Sequence, residues 1–212
     1  MRTRLILVMG IVLGVTGDIG SGKSTVMGIL RELGAETVSA DELAHNALAA
    51  GTPGAAVVAE RFGESLLQAD GNIDRNALGE IVFHDEQARR DLEGIVHPVV
   101  LRIVEKLIRE YRGTSTAAPV MAVEVPLLYE SGAEGMFDRV LTVTSEQETL
   151  LSRLNKERGL SRLEALSRLT AQLPSSEKAS RSDYVVKNDS NLRELRKSVH
   201  RLWLDIACPL AH

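Results

Sequence analysis

Apolar residues along the chain fall into two alternating patterns. Short runs rich in Val, Ile and Leu are separated by longer segments in which apolar positions recur every three or four residues. The first pattern predicts strands buried on both faces, and the second predicts helices packed over them. Five strands are expected: 11–16, 36–39, 120–125, 139–144 and 184–187. A helix is expected from Lys23 to Leu33, ended by Gly34. Four more are expected between strands two and three: near Asp41, after Pro53, after Asp74, and a long one from Pro98 to about Arg112. Two follow strand four, from Gln147 to about Arg158 and from Ser161, and a last one runs from Leu192 to about Ile206. Strands alternating with helices in this way predict an α/β domain, a five-stranded parallel sheet flanked by helices.

The spacing also divides the chain. About eighty residues separate strands two and three, far more than a crossover needs. The expected organisation is a single domain over 1–212, with a core at about 9–40, 117–145 and 182–212. A helical substrate lobe is expected at about 41–116 and a helical lid at about 146–181. The lid segment is rich in Arg and Lys and is broken at Gly159. Neither internal repeats nor low-complexity tracts are present.

Composition narrows the picture. Of 212 residues, 44% are apolar and 25% charged, as in ordinary globular proteins. The net charge of -4 offers no general attraction to nucleic acid or an anionic membrane. At 3%, aromatic residues are too few for base-stacking platforms. A lone cysteine, Cys208, cannot form an intramolecular disulfide, and a reducing, cytoplasmic setting is expected. Arg2 and Arg4 precede an apolar run from Leu5 to Val15 that superficially resembles a signal peptide. That run enters a glycine-rich turn instead of a small-residue cleavage site. It is too short to span a membrane, and is read as a strand behind a loose extension of about eight residues.

The turn carries the first candidate chemistry. Gly17, Asp18, Ile19, Gly20, Ser21, Gly22, Lys23 and Ser24 fit G-x-x-x-x-G-K-[ST] without mismatch, followed by Thr25. Glycines let backbone amides approach a phosphate closely, and the helix start behind them adds orphan N–H groups and partial positive charge. Lys23 is expected to bridge the β- and γ-phosphates of ATP, and Ser24 to ligate Mg²⁺. The loop itself predicts the P-loop NTPase architecture, which serves motors, switches and kinases alike; the long helical insertion and the basic lid segment make the expected form nucleotide-kinase-like. Asp18 is unusual beside a phosphate and is expected to point to solvent.

Other residues are open to two readings. Asp41 follows strand two, at the strand end where ligands bind in such sheets, so it could accept a proton from an attacking hydroxyl. It could equally complement a helix dipole, since Ser39-Ala40-Asp41-Glu42 has capping-box spacing. His97 precedes Pro98 at a helix start, as a cap or as a ligand contact. Glu124, at the end of strand three, could act as a Walker-B-like acid. Arg153 and Arg158 lie in the lid segment, where either could stabilise a transferring phosphoryl group or simply be solvated.

Taken together, the motifs resemble those of the bacterial dephospho-coenzyme A kinase family along nearly the whole chain. The matching stretches, in order, are Gly14 to Ser24, Ala40-Asp41, Asp74-Arg75 with Leu78, Val82-Phe83, Ile95-Val96-His97-Pro98, Pro126-Leu127-Leu128-Tyr129-Glu130, Ala171-Gln172 and Asp183 to Asn188. The phosphate loop is generic, and the later set is more specific. The resemblance implies ATP-dependent phosphorylation of the ribose 3′-hydroxyl of dephospho-CoA, the last step of CoA synthesis. It implies Asp41 as general base and Asn188 near the adenine of ATP. Arg75, His97, Pro126, Leu127 and Glu130 are implied on the acceptor side, with Asp41.

The sequence departs from that family's usual pattern at three places. Asp18 stands where Gly is usual, and Ser39 where Asp is usual. Glu157 occupies a lid position that often holds Arg, leaving Arg158, with Arg153 as the alternative. The alternatives to this function are another P-loop small-molecule kinase, acting on a nucleoside, nucleotide or shikimate-like acceptor, and a nucleotide-regulated switch that transfers nothing. The expected partner is a small-molecule substrate, with no nucleic acid and no membrane, in a monomer or weak homo-oligomer.

Overall fold

The computed structural model describes residues 10–114 and 118–207. The extension before Gly10 and Cys208 lie outside the described residues. Five strands form one sheet: β1 (Ile11–Gly17), β2 (Glu36–Ser39), β3 (Val120–Glu124), β4 (Arg139–Thr144) and β5 (Tyr184–Lys187). Their order is β2-β3-β1-β4-β5, and every neighbouring pair is parallel. Parallel strands covered on both faces have little need of polar residues, and β3 is buried along its whole length. Register brings Ser39 and Val15 level with Glu124, Gly17 level with Val143, and Thr144 level with Lys187. The C-terminal ends of the strands thus lie along one edge, with the loop after β1 in the middle.

The chain divides into two compact units. Among the described residues, one comprises 10–39, 108–114 and 118–207, and the other 40–107. In the first, α1 (Lys23–Glu32) and α9 (Leu192–Ala207) pack together against the sheet. Val26, Ile29 and Leu30 of α1 and Leu195, Val199, Leu202 and Ile206 of α9 join Leu13, Val15, Leu141 and Val143 in one apolar core. Apolar positions at helical spacing on each helix supply that face. Fully burying such a side chain contributes about 1.5–3 kcal/mol. Glu32 and Arg196 form an ion pair between the two helices at the surface.

The same unit contains α6 (Gln147–Arg158), α7 (Arg162–Thr170) and α8 (Ser175–Arg181). Ser161 caps α7 through a full capping box with Glu164, and Gly159 ends α6 in the left-handed conformation at φ 66°. Helix α8 is a third helix where the sequence predicts two. It is seven residues long and mostly polar, too short to show a period.

The second unit is helical: α2 (Ala40–Ala47), α3 (Pro53–Phe62), α4 (Arg75–His84) and the first part of α5 (Glu86–Gly113). Thr52 caps α3 by accepting from the Ala55 amide, and Asp74 caps α4 by accepting from Asn76 and Ala77. Leu48, Ala55, Val58, Leu66, Ile73 and Leu78 form its core. Helix α5 begins at Glu86, not at Pro98. Asp85 Oδ1 accepts from the amides of Gln87 and Ala88, at 2.8 and 3.1 Å, so Asp85 is the cap. Pro98 lies inside the helix, and His97 is a mid-helix residue rather than a cap. Proline removes only one N–H from the ladder, and the helix continues through it.

Candidate active site

The site is built on the loop between β1 and α1. Gly22 begins α1 in the left-handed region at φ 89°, and a Cβ there would lie 2.2 Å from Asn188 Nδ2. Gly17, at φ 144°, would place a Cβ 2.2 Å from the carbonyl oxygen of Val143. Both positions require glycine on two counts, conformation and space. Gly22→Ala is expected to destabilise the fold by more than about 1 kcal/mol, read as a lower urea midpoint at unchanged m-value. An unchanged midpoint would contradict that close approach.

The loop's carbonyls are held by the protein. Lys23 Nζ donates to the carbonyls of Gly17 and Asp18, at 3.0 Å each. The guanidinium of Arg153 donates to those of Gly20 and Ser21, at 3.3 and 3.4 Å. Asn188 Nδ2 donates to Ser21 O at 2.8 Å. These contacts engage the carbonyls of Gly17, Asp18, Gly20 and Ser21, and the loop runs directly into the start of α1, the end of a helix at which backbone N–H groups are exposed. Orphan N–H groups and the positive end of a helix together attract anions. Ser24 and Thr25 are exposed at that helix start, while Lys23 is 8% exposed.

Arg153, on α6, also donates to Ser145 Oγ at 3.2 Å and Asn188 O at 2.7 Å. It therefore fastens the end of β5 to the phosphate loop. Arg158, in the last turn of α6, is exposed. Asn188, 7% exposed, is fixed through its backbone to Thr144 and Ser145 and through its side chain to the loop. Arg162 donates to both oxygens of Glu148, at 2.9 and 2.6 Å, tying α7 to α6. That bond holds the Glu148 carboxyl below its ordinary value of 4.5.

Asp18 differs from the sequence expectation. It is 6% exposed, not turned to solvent, because Lys178 Nζ lies 3.3 Å from its Oδ1. Sequence reasoning also missed Lys178, which is fully buried. No local signal could reveal it, since a lysine in a short polar helix reads as a solvated one.

On the other side of β1, Ser24 Oγ lies 3.5 Å from Glu124 Oε1 at the end of β3. Among the described residues no group of three or more His, Cys, Asp and Glu is arranged to hold a metal. A small hard cation that keeps its waters needs only one or two protein oxygens beside substrate phosphates. The Ser24 and Glu124 oxygens fit such an ion. The turn from Pro126 to Glu130 leaves β3 beside the loop, and Thr16 Oγ1 donates to Pro126 O at 3.1 Å. Pro126 and Leu127 are half-buried. Glu130 contacts Lys178 at 3.1 Å.

Three predicted residues belong to the helical unit. Asp41 is exposed in the first turn of α2, two residues beyond the end of β2. Arg75 donates to His45 O at 2.6 Å, which closes α4 onto α2. His97 is half-buried in α5.

Comparisons with known proteins bear on the family and the fold. The family model described as dephospho-CoA kinase matches residues 11–194. The dephospho-CoA kinase of Geobacter sulfurreducens is 42% identical over 192 residues, 91% of this chain and 96% of the relative. The solved dephospho-CoA kinase of Campylobacter jejuni is 31% identical, with a TM-score of 0.67 over 92% of this chain and 96% of that one. TT1252 from Thermus thermophilus is 33% identical, with a TM-score of 0.76 over 96% and 99%. Shikimate kinase from Acinetobacter baumannii, 19% identical with a TM-score of 0.54 over 95% and 96%, shares the fold alone. A match along most of the chain, on top of an intact phosphate loop, leaves no room for a chance motif: this chain belongs to the dephospho-CoA kinase family.

Proposed function

We propose that the protein transfers the γ-phosphoryl group of ATP to the ribose 3′-hydroxyl of dephospho-CoA, giving CoA and ADP. The observation that carries this reading is the complete phosphate loop, Gly17 to Ser24, in a chain whose family is dephospho-CoA kinase. ATP lies with its phosphates against the amides of the loop, Ile19 and Thr25 included among the lining residues. Lys23, a cation at the start of α1, offsets charge on the transferring group. Asn188, already fixed against the loop, borders the adenine side.

Mg²⁺, held through Ser24 with Glu124 nearby, supplies charge neutralisation on the phosphates when bound. Asp41 accepts the proton of the 3′-hydroxyl and aligns its oxygen for in-line attack. Its support is position: β2 ends level with Glu124, and Asp41 follows two residues later. Arg75, His97, Pro126, Leu127 and Glu130 contribute to acceptor binding. Arg158 is an exposed cation at the end of α6, free to swing toward the phosphates when the α6–α7 segment closes, and closure excludes water as a competing acceptor. Arg153 is the alternative, although its donors are engaged with carbonyls.

The setting is cytoplasmic in this reading, where ATP is plentiful. Among the described residues no helix is long and apolar enough to cross a membrane. Acceptor choice is the test of function. The purified protein is given Mg·ATP with dephospho-CoA, adenosine, AMP, UMP or shikimate in parallel, and kcat/KM is measured for each. Dephospho-CoA is expected to exceed the others by several orders of magnitude. A preference for another acceptor would overturn the substrate while leaving the fold intact.

A further inference from the structure

Beside the phosphate loop lies a buried ammonium, that of Lys178, to which the transfer chemistry assigns no role. Lys178, on α8, places its ammonium 3.3 Å from Asp18 Oδ1 and 3.1 Å from Glu130 Oε1. Its side chain is 0% exposed, against 8% for Asp18 and 20% for Glu130. A buried ammonium is strongly unfavourable without partners, so the two carboxylates make this position possible. The converse bears on function. Asp18 is part of a loop whose ligand is a polyanion, and an unpaired carboxylate there would oppose binding. One ammonium shared by two carboxylates still leaves a surplus negative charge.

The segment that carries Lys178 also fixes the neighbouring residues. Ile19 donates its amide to Gln172 Oε1 at 3.1 Å, and its side chain packs against the cluster of Leu151, Leu154 and Ala165. Leu173 donates its amide to Glu130 Oε1 at 3.0 Å. Asp18 and Ile19, the first turn of the loop, are therefore both held by residues 172–178. The Thr142 and Ser182 hydroxyls fasten α8 in turn, through the Lys178 carbonyl, at 3.4 and 2.8 Å.

We propose that Lys178 is a positioning residue of the donor site: it neutralises Asp18 and fixes the first turn of the phosphate loop, and so sets affinity for ATP rather than the rate of transfer. The inference rests on the reading of this loop as the ATP site. It assigns Asp18 a defined cost, since its charge is tolerated only while Lys178 is present.

Four variants test it: Lys178→Met, Asp18→Asn, the double variant, and Lys178→Arg, each checked by circular dichroism for a folded state. The readouts are Kd for Mg·ATP by calorimetry and kcat with saturating substrates. Lys178→Met is expected to weaken ATP binding roughly tenfold, a like charge a few ångströms from phosphate at intermediate dielectric, with kcat within about threefold. Adding Asp18→Asn restores most of the affinity, because the unpaired charge is gone, and Lys178→Arg keeps it. A folded Lys178→Met with parental affinity overturns the proposal, and so does a double variant no better than Lys178→Met.

Where Lys178→Met fails to fold, Asp18→Asn alone decides. Removing the surplus charge is expected to tighten ATP binding roughly two- to fivefold, and unchanged or weaker binding overturns the proposal. Since Kd is read without turnover, wild-type protein that binds ATP but forms no CoA contradicts the proposed function and leaves the Lys178 result readable.

Discussion

Asp41→Asn is expected to lower kcat by about 10²–10⁴ while changing KM for either substrate little. The substitution preserves shape and one hydrogen-bonding oxygen but removes the proton acceptor. A ribose hydroxyl is a weak nucleophile until its proton has somewhere to go, so the loss falls on the chemical step. Asp41 is exposed in the first turn of α2, where an amide is tolerated nearly as well as a carboxylate. Thermal stability should therefore stay close to that of the parent. Turnover at the parental rate would remove Asp41 from the chemistry and leave it as a residue that complements the helix dipole. A matched fall in stability and activity would point the same way.

Lys23→Ala is expected to reduce kcat by about 10²–10³ and to raise KM for ATP as well. The two effects differ in origin from those at Asp41. Lys23 Nζ donates to the carbonyls of Gly17 and Asp18 at 3.0 Å each, which anchor the ammonium at the loop. A preorganised cation stabilises charge as it develops without reorganising at the moment of reaction. It also favours the bound polyphosphate, hence the effect on KM. Steady-state kinetics with varied ATP separates the two, and retained parental kcat would exclude Lys23 from transition-state stabilisation.

Much of the fold could be read from the sequence because the physical signals were local. The runs at 36–39, 139–144 and 184–187 are rich in β-branched residues between turns, and the strands occupy those residues. Helix α6 spans Gln147–Arg158 as expected, since Gly159 marks its end. The start of α5 was misplaced because Pro98 suits the first position of a helix so well. Asp85 and the helical spacing of Leu92, Ile95 and Val96 were the competing signals, and the cap at Asp85 is the one the chain uses.

The site was legible in its phosphate loop, which is a contiguous motif, and less so in its support. Asp18 was expected in solvent because its partner, Lys178, lies 160 positions away, and local spacing carries no trace of such a pairing. Arg153 gave a similar difficulty. An arginine on a polar helix looks solvated, yet its guanidinium bonds to three backbone carbonyls across the loop and β5. Side chains that satisfy backbone from afar are visible only once the sheet order brings β4 beside β1 and β5 beside β4.

The most direct measurement follows products from the wild-type protein with Mg·ATP and dephospho-CoA, by liquid chromatography with mass detection and ³¹P NMR. The expected result is ADP and CoA in equal amounts, with the new phosphate on the ribose 3′-oxygen. ATP that binds but leaves dephospho-CoA unchanged, or a phosphate delivered elsewhere, would contradict the central claim.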